Sequence, residues 1–128
     1  MSSLNNDKAS CDQETSYNLD EICYADEYFI QTKNKIVIYK KTNATFKAQR
    51  TLFKTVEVGD SFYIIDKAGD CYKLTIVSNV AMLTFIFGVL SQPRFFSINN
   101  NLINIEDNFN RIYTMDLDGN LQNITFLA

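Results

Sequence analysis

The chain has 128 residues, enough for one ordinary domain whose core needs neither metal nor disulfides to hold it together. Hydrophobic residues make up 46% and include ten Phe and seven Tyr, which excludes a wholly disordered chain. The net charge is −3, and the absence of histidine removes both the commonest general base and nucleophile pairs of the Ser-His or Cys-His type.

The acid is concentrated at the front. Asp7, Asp12, Glu14, Asp20, Glu21, Asp26 and Glu27 stand against Lys8, and residues 1–27 read as an acidic strap laid over the body. Within it, Asn18 followed by Glu21 resembles a capping box, with Leu19, Ile22 and Cys23 on one face of a short helix. The opening MSSLNNDKASCDQ has neither a basic n-region nor an apolar run, so the expected location is cytoplasmic. Cys11, Cys23 and Cys71 form no CxxC pair and read as three reduced thiols. With no histidine beside them, neither a metal site nor a cofactor is expected.

Residues 28–128 are expected to form a single β domain. Tyr28 to Thr32 and Lys35 to Lys40 are β-rich runs separated by a Lys33-Asn34 turn, and Thr45 to Phe53 reads as a third strand after Thr42-Asn43. The organising stretch is Val56 to Val77. Phe62 to Ile65 is apolar on both faces, as a central strand requires, and Tyr72, Leu74 and Ile76 alternate with Lys73 and Thr75 on the return. Val80 to Leu90 is the most apolar segment, far short of the roughly 20 residues of a membrane-spanning helix. Its periodicity leaves buried strand and core helix open, with an exposed membrane-dipping or partner-binding loop as the lesser alternative, although Val, Thr, Phe and Ile lean toward strand.

Pro93 ends that run, and Phe95 to Ile98, Leu102 to Ile105, Arg111 to Asp116 and Leu121 to Leu127 read as short strands. Asparagine takes the turn positions that glycine usually fills, as in Asn99-Asn100-Asn101 and Asn108-Phe109-Asn110. Phe62 to Val77 aligns without a gap on Ile112 to Leu127, matching Tyr63 with Tyr113, Asp66 with Asp116 and Gly69 with Gly119. Such a period can mark propeller blades or a duplicated barrel half, yet Asp and Gly are what hairpin turns select anyway. Independent reuse of one turn is the preferred reading. A closed propeller needs more blades than one such chain supplies and would require self-association, which is open. Asp116-Leu117-Asp118-Gly119-Asn120 resembles a calcium loop, but lacks the later ligands and closing Glu, and is assigned as a turn.

The strongest charge pattern follows Tyr28. From Phe29 to Val56 there is no carboxylate, while Lys33, Lys35, Lys40, Lys41, Lys47, Arg50 and Lys54 interleave with Tyr39 and Phe46. Cations that track phosphates beside rings that stack on bases are the ingredients of a single-strand-binding face. The acidic overall balance argues the other way, and alternation along strands splits the lysines between faces.

The expected fold is therefore all-β, a small antiparallel barrel or sandwich of about eight strands built from sequential hairpins, with a short N-terminal helix or strap. The expected function is a non-catalytic interaction module that binds a protein partner through an edge strand or through the lysine-bearing strands 33–54. The alternative is a β-barrel binding single-stranded nucleic acid.

Overall fold

The structure, a computed structural model, describes residues 21–127. Every element in it is a strand: β1 (Ile22–Ala25), β2 (Phe29–Thr32), β3 (Ile36–Tyr39), β4 (Thr45–Lys47), β5 (Leu52–Val58), β6 (Ser61–Asp66), β7 (Asp70–Val77), β8 (Val80–Gly88), β9 (Pro93–Asn99), β10 (Leu102–Asp107), β11 (Arg111–Asp116) and β12 (Leu121–Phe126). They form three four-stranded antiparallel sheets, β1 to β4, β5 to β8 and β9 to β12, each with its strands in sequence order.

This corrects the expected architecture. Strands are hydrogen-bonded within each sheet and not across sheets, so no barrel closes, and a two-layer sandwich is replaced by three stacked layers. Two local features account for part of the difference between about eight strands and twelve. Ile22 and Cys23, assigned to a helix, lie in β1, while Asn18 and Leu19 fall outside the described residues. The run Thr45 to Phe53 is not one strand but two, with β4 ending the first sheet and β5 starting the second.

Strand β6 shows why three layers form. Its pleat sends Phe62 and Ile64 into a core shared with Phe29, Val37 and Leu52 of the preceding segment. Tyr63 and Ile65 point the other way, into a second core with Phe96, Ile103, Ile105, Tyr113 and Met115 of the third sheet. An alternating strand needs one apolar face, but a strand in the middle layer needs two. Gln31, fully buried in the first core, is satisfied on both sides of its amide: Nε2 donates to the Arg50 carbonyl at 3.0 Å and Oε1 accepts from the Leu52 N–H at 2.8 Å. It pins the first sheet to the start of the second.

The turns follow the asparagine rule. Ser78-Asn79 and Asn100-Asn101, each a two-residue hairpin connection, have positive φ at both positions (51° and 65°, 53° and 62°), the backbone that matches strand twist. A second turn is used three times. Asp66, Asp107 and Asp116 each accept, on Oδ1, the N–H groups two and four residues on. The residue three positions on is left-handed each time: Gly69, Asn110, Gly119.

Gly119 is held there by packing as well as by φ. A Cβ at this position would lie 2.5 Å from the Ile86 carbonyl oxygen of the second sheet, whereas one at Gly59 meets nothing within 4 Å. Both have positive φ, +86° and +60°. Gly119→Ala is therefore expected to cost about 2–3 kcal/mol, against about 1 kcal/mol for Gly59→Ala, in urea unfolding of the two variants. Equal losses would mean that the third sheet yields at no cost.

Candidate interaction surface

Because each sheet is a meander, its turns alternate between two ends of the stack, and this decides where the cations go. Lys33 and Lys35 bracket the β2–β3 turn at the end where Lys47 closes β4, and Arg50 lies beside the β6–β7 turn. Lys40 and Lys41 follow β3 at the opposite end. Lys54 does neither. Its ammonium crosses from β5 to donate to the Phe96 carbonyl of β9 at 2.8 Å. Arg50 pairs with Asp70 at 2.9 Å and lies 3.5 Å from Asp66, and the Lys40 ammonium donates to the Asp26 carbonyl at 2.5 Å.

The rings interleaved with these cations face inward. Tyr39 and Phe46 pack against the first core, with Tyr39 5.4 Å from the Phe29 ring and 5.5 Å from Phe62, and Phe53 packs against the second core. The nine candidate residues are thus divided: Lys33, Lys35, Lys47 and Arg50 at one end, Lys40 and Lys41 at the other, Lys54 bridging two sheets, Tyr39 and Phe46 between layers. They do not converge on one face.

At the end that carries Lys40 and Lys41, an open groove of about 690 Å³ runs between the first and second sheets, lined by Tyr39, Lys41, Glu57, Asp60, Phe62 and Asn79 among others. Its mixed charge gives it no preference for an anion. Partial burial, with Glu27 and Glu57 nearby, pushes the Tyr28 hydroxyl above its ordinary value beside this groove. Asp26 holds the adjoining β1–β2 turn. Its Oδ1 accepts the N–H groups of Tyr28 and Phe29, both at 2.8 Å, and its Oδ2 accepts the hydroxyls of Tyr24 and Thr55.

The reactive groups are similarly engaged. Burial pushes the Cys71 thiol up to about 12, so it is protonated near neutrality, and both Cys71 and Cys23 are free thiols. Cys11 lies outside the described residues. Among the described residues no group of three or more Cys, Asp or Glu is placed to hold a metal ion, and no helix is long and apolar enough to cross a membrane.

The feature that periodicity missed is β8. The apolar run from Val80 was expected to be buried, as strand or helix, and it is a strand, but the outermost of its sheet. Ala81 and Leu83 pack toward the first core, while Val80, Met82 and Phe85 are 60%, 60% and 55% exposed. The nine residues of β8 include no charge and no proline. Edge strands are usually blunted by Lys, Pro or a short length. The signal was present in the sequence as an uncharged run, but nothing local distinguishes a strand inside a sheet from one at its border.

No family model matches the chain, and no curated protein does. Among solved structures it is similar to the crystal structure of the N-terminal domain of Nup159, with a TM-score of 0.50 and 12% identity, over 83% of this chain and 30% of that one. The chain thus spans less than a third of that domain's length. At this identity the likeness is one of fold alone: three four-stranded antiparallel sheets laid face to face like consecutive blades of a propeller.

Proposed function

We propose that this chain is a non-catalytic protein-interaction module whose partner docks as an added strand along the free edge of β8. The observation that carries the reading is a nine-residue border strand without charge or proline, flanked by exposed Val80, Met82 and Phe85. Unpaired N–H and C=O groups along such an edge supply main-chain hydrogen bonds, and alternate apolar side chains supply selectivity. The lysine-bearing strands are the weaker docking element, since their cations point to two ends of the stack and Lys40, Arg50 and Lys54 already have acceptors. Support for a non-catalytic role is that the buried carboxylates Asp66 and Asp107 serve turn geometry.

Selection of a random linear peptide library on the immobilised chain tests this. Selected peptides are expected to be β-rich and to slow amide exchange along β8. Met82→Lys is expected to weaken them roughly tenfold, about 1.4 kcal/mol, and Lys33→Glu to leave them unchanged. Peptides lost with Lys33 or Lys47 and indifferent to Met82 would reverse the choice of surface, and a shifted oligonucleotide at low salt would replace a protein partner by nucleic acid.

A further inference from the structure

The Asp-led turn is used three times, and in two of these both carboxylate oxygens are satisfied. Asp107 Oδ2 accepts from the Arg111 guanidinium at 2.7 Å and from the Tyr113 hydroxyl at 3.0 Å, and Asp116 Oδ2 accepts from the Asn120 side-chain amide at 3.1 Å. The remaining turn is unfinished. Asp66 uses Oδ1 for the N–H groups of Ala68 and Asp70, and among the described residues no donor is hydrogen-bonded to its Oδ2. The nearby cation, Arg50, lies 3.5 Å from Oδ2 and donates to Asp70 at 2.9 Å instead. Yet Asp66 is only 2% exposed, so bulk solvent has little access to it. A buried carboxylate oxygen without a donor is strongly unfavourable, and folded proteins close such gaps with a bound group.

The tyrosine that would close this one is present but engaged elsewhere. Tyr72 follows Asp66 at the spacing by which Tyr113 follows Asp107, but its ring packs edge-on against Phe85 of β8 at 5.6 Å, and its hydroxyl makes no hydrogen bond to Asp66. What is left between the first and second sheets is a partly enclosed pocket of about 110 Å³. Phe46, Leu52, Ile64 and Leu83 supply its apolar walls, Lys47 and Gln49 are exposed, and Asp66 is its most buried polar group. A closed apolar cavity of roughly 150 Å³ holds a benzene ring. This pocket, open on one side, has room for one ring.

We propose that the pocket binds a phenolic group, its ring against Phe46, Leu52, Ile64 and Leu83 and its hydroxyl donating to Asp66 Oδ2. The bound group then does for Asp66 what Tyr113 does for Asp107. The chemistry is the same for a free small phenol and for the side chain of a partner's tyrosine. The site lies between two sheets and not on the free edge of β8, so it stands whether or not a strand docks there.

Titration of the isotopically labelled chain with phenol, and with toluene as a similar ring without a donor, tests this through amide chemical shifts. Phenol is expected to shift the amides of Ala48, Asp66 and Leu83 and to bind roughly tenfold more tightly than toluene, the margin of one hydrogen bond to a carboxylate. Asp66→Asn keeps an oxygen for the two turn N–H groups and replaces the carboxylate by a neutral amide, so the margin is expected to fall to about threefold or less. If Asp66→Asn does not fold, Leu83→Phe takes its place: the larger side chain narrows the pocket from β8 and is expected to expel both rings. Equal affinity for phenol and toluene, a margin unchanged by Asp66→Asn, shifts that persist in Leu83→Phe, or no saturable shift at all would each overturn the proposal, the last because ordered water alone would then serve Asp66. N-acetyltyrosinamide separates the two sources. Its competition with phenol assigns the pocket to a partner's tyrosine, and its exclusion assigns it to a free phenol.

Discussion

Phe29→Ala is expected to lower stability by about 4 kcal/mol, the largest loss from any single side chain in the first core. Phe29 is fully buried, and its ring centroid lies 4.9 Å from Phe62, 5.4 Å from Tyr39, and 6.4 Å from both Tyr28 and Phe46. Four rings cannot all close on the space one leaves. Removing it forfeits the transfer energy of the ring, the edge-to-face contacts with Phe62 and Phe46, and the packing that holds the first blade on the second. Because the two blades share side chains and not strand hydrogen bonds, the loss should be local. Amide exchange is expected to quicken in β1 to β4 while β9 to β11, whose core is made with β6 and β7, keep their protection. Phe29→Leu, which preserves much of the volume, is expected to cost only about 1 kcal/mol. If urea unfolding gave the two variants the same small loss, the ring cluster would not be what joins these layers.

The middle blade was the most legible part of the chain because its needs are local. A strand apolar on both faces, Phe62 to Ile65, followed by a return strand with alternation, specifies a covered layer whatever the surrounding topology. The asparagine turns were legible for the same reason, since φ at Asn100, Asn101 and Asn110 depends on the residue and its neighbours. What sits on each face of the covered layer was not legible. Thr45 to Phe53 contains strand formers at both ends, and periodicity cannot record that the chain changes sheets between Lys47 and Leu52. Pairing partners are chosen at long range, and hence twelve strands in three sheets were expected as eight in one or two.

The internal match, read as independent reuse of one turn, is likewise a product of local chemistry. The gapless match of Phe62 to Val77 with Ile112 to Leu127 joins β6–β7, the second and third strands of their blade, to β11–β12, the third and fourth of theirs. Identical Asp and Gly at the turns produced it. The structurally equivalent hairpin is β10–β11, in which Ile103 and Ile105 stand where Phe62 and Ile64 do, Asp107 where Asp66 does, and Tyr113 where Tyr72 does. There the left-handed position is filled by Asn110 in place of Gly69, so identity favours the wrong partner. That the lysines of the stretch 33–54 divide between two ends was hidden on similar grounds. Its charge density was visible, but a meander delivers successive turns to opposite ends, and the sheet order that fixes those ends is a long-range property.

Asp107 is the side chain whose loss should combine stability with pH. It is fully buried at the β10–β11 turn, and its Oδ1 accepts the N–H groups of Phe109 and Arg111 at 2.9 and 3.1 Å. Oδ2 accepts from the Arg111 guanidinium at 2.7 Å and from the Tyr113 hydroxyl at 3.0 Å, and that hydroxyl in turn accepts the Leu90 N–H. Burial alone would raise this carboxyl. The Arg111 backbone and guanidinium, the Phe109 N–H and the Tyr113 hydroxyl outweigh it and hold the group down at about 2. A folded value below the unfolded value of about 3.9 means that the stabilisation is fully present above pH 4 and is lost as the pH falls toward 2. Asp107→Ala strands the guanidinium and the hydroxyl together and is expected to cost about 3 kcal/mol at pH 7. Asp107→Asn keeps an oxygen for the two turn N–H groups but gives up the ion pair, and about 1–2 kcal/mol is expected. The difference between wild type and Asp107→Asn should shrink steadily between pH 4 and pH 2 in urea unfolding, because protonation makes the native side chain resemble the amide. A gap that stays constant across that interval would mean that the charge on Asp107 contributes nothing, and that the turn is held by geometry alone.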